Sequence, residues 1–217
     1  MRIFGLPDFL FILEAAQWTV LLSLMAFVGG GIVGLAVALA RTSEHALPRR
    51  LAMGFIQLFR GTPLLLQLFL VFFGAPVIGL EVNPWIAAAT ALTLNSGAFL
   101  GEIWRGCIEA IPRGQWEAAD ALGLSYRYRM RDVVLPQALK IAVPPTVGYL
   151  VQIVKGTSLA AIIGFTELTR AGQIINNATF QPMLVFSVVA VIYFALCWPL
   201  SLLAGYMERR LAASLAR

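Results

Sequence analysis

The chain has 217 residues, of which 59% are hydrophobic and only 12% charged, against about 45–50% and about 25% in a soluble domain. This excludes an ordinary water-soluble domain and calls for helices that satisfy their own backbone groups in lipid. The net charge of +5 does not require nucleic acid, because Lys and Arg collect in the cytoplasmic loops of membrane proteins.

One histidine, His45, and two distant cysteines, Cys107 and Cys197, give neither a metal-ligand spacing nor a disulfide framework. In chain order, residues 1–18 carry Asp8 and Glu14 inside an apolar run and no small-residue cleavage site. They are expected to be an interfacial segment leading into the first span, not a signal peptide. Residues 19–40 form the clearest span, without a charge. Gly30 and Gly34 make a small-xxx-small pair there, which predicts close helix packing; a phosphate-cradling loop would need a following Lys-Ser/Thr.

A basic loop, 41–50, follows. Gly61-Thr62-Pro63 reads as a helix start, with Thr62 as N-cap and Pro63 at the first helical position. The second span is then 63–79, with Arg60 outside it at the interface, since an arginine at mid-membrane costs at least ~2.5–3.5 kcal/mol. Asn83-Pro84 repeats the signal and opens a third span, 84–104, holding Asn95, Ser96 and, near its end, Glu102. A fourth span begins around Ile141, with Pro144-Pro145 near its start. Lys155-Gly156-Thr157-Ser158 interrupts it, and the freed backbone groups there are tolerable only where buried in protein or facing water. Residues 165–181 are too polar to cross and are expected to cap the far side. The fifth span is 182–207, followed by a tail, 208–217.

Arg41, Arg49, Arg50, Arg105, Arg113, Arg127, Arg129, Arg131, Lys140, Arg209, Arg210 and Arg217 share one side in this arrangement; Arg2 and Arg170 fall on the other. The bias places the N-terminus outside and the C-terminus, with the polar segment 105–140, in the cytoplasm. Within that segment, 115–122 reads as a short helix and Gly123 as its left-handed C′ residue. Ser125 is then the N-cap of a second helix, which Pro136 should stop at Leu135. Arg127 and Arg131 are i,i+4 neighbours, and Asp132 is placed to pair with Arg129.

The spacing Glu117-Ala118-Ala119, Gly123, Val133, Leu135-Pro136 resembles the signature of the permease subunits of bacterial ABC importers, with Val133 where isoleucine is commonest. FRGTPLLLQLF (59–69), FLGEIWRG (99–106), LPQALKIAVPP (135–145) and KGTSLAAIIGFTEL (155–168) extend the likeness to the polar amino-acid subfamily over nearly the whole chain. That subfamily commonly has Asp where this chain has Gly156.

The resemblance implies an all-α integral membrane protein of five transmembrane helices with the type I importer permease fold, resident in the bacterial inner membrane. A permease domain, 19–207, would contain an ATPase-coupling loop, 112–136, that docks on a separate ATPase. Glu117, Ala118, Ala119, Gly123, Arg127, Arg131, Leu135 and Pro136 would carry the coupling. ATP and Mg would belong to the partner, because this chain has no GxxxxGK[ST] segment of its own and binds no cofactor.

Expected partners are two ATP-binding subunits, a second permease, identical or homologous, and an extracytoplasmic amino-acid-binding protein docked on 165–181. The polar groups within spans, Asn95, Ser96, Lys155, Thr157 and Ser158, are the candidates for the substrate path. A permease for another small polar solute, such as a quaternary amine, is the alternative. An ion-gradient transporter would want intramembrane carboxylates, of which the spans hold none apart from Glu102 near an end, and a membrane enzyme would want a nucleophile–base set, which they lack.

Overall fold

The structure, a computed structural model, describes residues 3–215; Arg2 and Arg217, counted in the charge bias, lie outside them. Among the described residues the regular structure is helical, without a strand. The order is α1 (Leu6–Arg41), α2 (Ala46–Gly61), α3 (Leu64–Gly74), α4 (Pro84–Glu109), α5 (Arg113–Ala121), α6 (Tyr126–Tyr128), α7 (Leu135–Gly156), α8 (Leu168–Thr179) and α9 (Pro182–Leu215). A π segment, Arg129–Val134, joins α6 to α7, and 3-10 turns follow α3 and α7.

Four helices are long and apolar enough to cross a membrane: Leu6–Arg41, Pro84–Glu109, the continuous stretch Tyr126–Ile163, and Pro182–Ala213. The pair Ala46–Gly61 and Leu64–Ile78, bent by 101°, supplies a fifth if it is one broken span. The all-α architecture is as expected, with four or five candidate spans where five were expected, and with different boundaries. The segment 1–18 is not a separate lead: from Leu6 it is the first part of α1. Asp8 does not interrupt the helix but starts it, its carboxylate accepting from the Gly5 N–H at 2.9 Å, next to the positive end of the dipole.

The second start signal also falls differently. Thr62 closes α2, its hydroxyl donating to the Leu58 carbonyl at 2.7 Å, and Pro63 is the residue before α3, with φ −60° and ψ 135°. Asn83 caps α4 as expected, accepting from the Ile86 N–H at 2.9 Å. The fourth span does not begin at Ile141, and the second coupling helix does not end at Leu135. One helix runs through both, with Pro136 in the first turn of α7. Pro136 lacks the N–H that an α-ladder would use, and the wide π turn just before it shifts the hydrogen-bond register at that point.

The glycines of α1 meet glycines of α4. A Cβ on Gly30 would stand 2.5 Å from Ser96 Cβ, and one on Gly34 3.0 Å from the Gly101 backbone nitrogen. Reciprocally, a Cβ on Gly97 would stand 2.5 Å from Val33 and one on Gly101 2.7 Å from Val37. Close backbone approach is how helices associate where lipid removes the hydrophobic incentive. The main core, with Leu22, Leu68, Leu92, Ile153 and Ile163, closes around this pair from α3, α7 and the turn after it.

Candidate functional site

Two features concern function: a polar hairpin between α4 and α7 and a cavity between the spans. The hairpin starts with α5. Gly123 has φ +68°, the Gly123 N–H reaches the Asp120 carbonyl at 2.9 Å, and the Leu124 N–H reaches the Ala119 carbonyl at 3.2 Å. That pair of bonds is the Schellman closure, and its left-handed residue favours glycine. Glu117, Ala118, Gly123, Arg127, Arg131 and Pro136 are exposed, Leu135 is half-buried, and Ala119 is buried. Leu122, which the sequence reading passed over, is 78% exposed at the corner. Ser125 stands at the N-cap position, but its side chain makes no capping bond.

Arg127, Arg129 and Arg131, the three arginines of the hairpin's second arm, do not share one environment. Arg131 is exposed, 3.7 Å from Asp132. The expected Asp132–Arg129 pair is absent from the contacts of Arg129. That guanidinium turns inward, pairs with Asp120 and lies 3.3 Å from Glu44 in the loop after α1.

The cavity has a volume of about 620 Å³. Arg60, Thr62 and Leu64 line it from the α2–α3 corner, Asn95 and Phe99 from α4, Tyr149, Gln152, Lys155 and Gly156 from α7, and Ser158 and Leu159 from the turn beyond. Asn95, Lys155 and Ser158 are therefore brought together as the sequence suggested. Ser96 and Thr157 are not: Ser96 packs under Gly30, and the fully buried Thr157 hydroxyl donates to the Val154 carbonyl at 2.7 Å.

Gly156 is the last residue of α7, where the α-helix passes into the 3-10 turn. Its φ of −62° and ψ of −28° are helical, and its value is closeness, since a Cβ there would stand 3.3 Å from Leu64 and 3.4 Å from Leu92.

Arg60, expected at the interface just outside the second span, also lines the cavity, with its side chain 42% exposed. Its guanidinium lies 5.2 Å from the Phe99 ring centroid and 3.8 Å from Glu102, and Phe99 stacks on Tyr149 at 5.5 Å. Phe99 and Glu102 are ten and seven residues from the end of α4, roughly 10–15 Å along the axis. Arg105 grips Glu102 through two bonds, at 2.9 and 2.7 Å.

The corner that presents Arg60 is itself fixed. Gln67 Nε2 lies 2.8 Å from the Phe59 carbonyl and 2.9 Å from Thr62 Oγ1, while Asn95 Nδ2 donates to Gln67 Oε1 at 3.1 Å. These bonds satisfy carbonyls freed at the break. Tyr149 and Gln152 were missed from sequence, and Arg60 was named there but not as a cavity residue.

On the opposite side, residues 165–181 are not a loop. Glu167, fully buried, caps α8 by accepting from the Arg170 N–H at 2.9 Å, and it accepts from the Tyr193 hydroxyl at 2.7 Å. Burial pushes its carboxyl above the ordinary glutamate range. Thr19 of α1 accepts from the Leu168 N–H at 3.2 Å. Among the described residues no three His, Cys, Asp or Glu gather as metal ligands.

A long-helix bundle with a polar cavity and a folded hairpin on the basic side defines an integral membrane permease. The family model of the binding-protein-dependent transport system inner membrane component matches residues 30–213, and the chain belongs to that family. It is 38% identical over 208 residues to the probable amino-acid ABC transporter permease protein YckA of Bacillus subtilis (strain 168), covering 96% of this chain and 92% of that one. It is 36% identical over 207 residues to the glutamine transport system permease protein GlnP of Escherichia coli (strain K12), covering 94% of each. A crystal structure of an amino acid ABC transporter with histidines aligns with a TM-score of 0.87 at 34% identity, over 92% of this chain and 94% of that one. The fold is that of the type I importer permeases.

Proposed function

We propose that this chain is the membrane path of an ATP-driven importer of polar amino acids, and that motion imposed at the hairpin 112–136 opens and closes the cavity around Asn95, Arg60 and Lys155. One observation carries the reading. The helical stretch Tyr126–Ile163 bears the second half of the hairpin at one end and the cavity residues Lys155 and Ser158 at the other. Its 38 residues span about 57 Å at 1.5 Å per residue. Movement of such an element converts a push in water into a change of access within the membrane.

The hairpin docks on a separate subunit that binds ATP and Mg and hydrolyses ATP. Glu117, Ala118 and Leu122 form the contact face, Gly123 the corner, and Arg127 and Arg131 its electrostatic rim. Two such ATPases act on a pair of permeases in the bacterial inner membrane, with the N-terminus outside, the C-terminus in the cytoplasm and α8 facing an extracytoplasmic binding protein. Residues 19–207 act as the permease unit and 208–217 as the tail.

Substrate chemistry follows from the cavity walls. Two cations, Arg60 and Lys155, face it, and no carboxylate lines it among the described residues. That suits the carboxylate of an amino acid with an uncharged polar side chain, as in the glutamine system of the relative, and disfavours a quaternary amine. The test is uptake of labelled glutamine into proteoliposomes holding the chain, its ATPase and its binding protein. ATP-dependent accumulation, abolished by Lys155→Ala with the complex intact, is expected. Accumulation driven by an ion gradient without ATP would overturn the reading.

A further inference from the structure

We infer that Arg129 is the positioning residue that ties the hairpin to α1, so that the docked element drives a third span beside α4 and α7, to which the chain already joins it. The inference rests on the reading of 112–136 as the ATPase-docking segment.

Arg129 opens the π segment, yet its side chain is only 13% exposed. It pairs with Asp120 of α5 and reaches Glu44 of the α1–α2 loop at 3.3 Å. Its guanidinium lies 5.8 Å from the ring centroids of both Trp116 and Tyr126. The Tyr126 hydroxyl donates to the carbonyl of Thr42, the cap residue of α1, at 2.6 Å. One cation therefore holds both arms of the hairpin together, and two polar contacts hold that unit to the end of α1. Charge-assisted bonds of this kind are among the stronger ones available to a partly exposed element.

Without the tie, a displacement of α5 reaches the membrane through the short link 110–112 to α4 and through the π segment to α7, where hydrogen bonding departs from the α pattern and a helix can hinge. With it, the displacement also reaches α1, whose Gly30 and Gly34 lie against α4, and α4 carries Asn95 and Phe99 of the cavity wall. Arg127 and Arg131, two residues to either side, face outward and cannot make this link. Spatial continuity alone does not establish coupling; the ratio of ATP consumed to solute moved does.

The experiment compares wild type, Arg129→Gln, Arg129→Lys, Glu44→Gln, Tyr126→Phe and the Arg129→Gln/Glu44→Gln double variant in the reconstituted importer. Retention of the ATPase, ATP hydrolysis and uptake are read together. Arg129→Gln is expected to keep the ATPase bound and hydrolysing while ATP consumed per solute rises by roughly threefold or more. Arg129→Lys, which can meet only one acid at a time, should fall between it and wild type. Tyr126→Phe, the loss of a single oxygen, should raise the ratio less, and the double variant should be no worse than Arg129→Gln. A wild-type ratio in both Arg129→Gln and Tyr126→Phe, with the ATPase retained, overturns the inference alone. A wild-type chain that does not retain the ATPase overturns the docking reading and the inference with it.

Discussion

Gly30→Ala adds one carbon to α1, and that carbon would stand 2.5 Å from Ser96 Cβ and 3.2 Å from the Gly97 nitrogen. Non-bonded carbons rest about 3.5–4.0 Å apart, so the helices must part by about 1 Å or twist at that level. Ser96 cannot swing aside, because the clashing atom is its Cβ, fixed by the backbone of α4. Overpacking of this kind costs about 1–3 kcal/mol, and in a chain of this size each kcal/mol lowers the unfolding midpoint by about 2–4 °C.

Gly54→Ala is the matched control, since nothing lies within 4 Å of a Cβ there and a helix-interior Gly→Ala change gains about 0.5–1 kcal/mol. Thermal unfolding in detergent, followed by tryptophan fluorescence, should give Gly30→Ala a midpoint lower by several degrees and Gly54→Ala one unchanged or slightly higher. Equal midpoints for the two variants would refute the claim that the α1–α4 glycine seam sets the bundle geometry.

Gly123→Val places a β-branched residue at φ +68°, a left-handed conformation costing such residues about 1–2 kcal/mol. ATP hydrolysis should persist while uptake falls, and unchanged uptake by a well-inserted variant would count against the corner. Asn95→Leu removes the donor to Gln67 Oε1 and the Phe59 carbonyl, at about 1–3 kcal/mol; hydrogen exchange should quicken across residues 59–67 and not at Asn83. Glu167→Gln tests the buried carboxyl. Its folded proton affinity is raised by burial, so the folded state holds the proton more tightly than the unfolded one, and its contribution to stability falls as pH rises above about 4.3. The midpoint of the Gln variant relative to wild type should therefore improve between pH 4 and 7, and a difference flat in pH would exclude a tightly held proton.

The class, the number of crossings and the glycine corner were readable because each rests on a local requirement: apolar length, a capping side chain at Asn83, a left-handed residue at Gly123. What sequence misread depends on partners distant in the chain. Pro136 signals a helix end in isolation, yet a π turn lets one helix pass through it. Thr62-Pro63 has the form of a helix start, but the Thr62 hydroxyl finds its bonds behind it, at Leu58, and its partner ahead at Gln67. The cost of an arginine at mid-membrane places Arg60 at the interface; its contacts with Phe99 and Glu102, some forty residues on, were not legible. Arg127, Arg129 and Arg131 look alike in sequence because the acid that separates Arg129 from them, Glu44, lies in another loop.

The most direct test of transmission from hairpin to cavity replaces Cys107 and Cys197 with serine, places a single cysteine at Ser158, and follows labelling by a membrane-impermeant thiol reagent in the reconstituted importer. Ser158→Cys is expected to label from one side of the membrane without nucleotide and from the other when ATP is trapped on the partner subunits. Gly123→Val is expected to abolish the exchange. Labelling from the same side in both states would contradict transmission from hairpin to cavity.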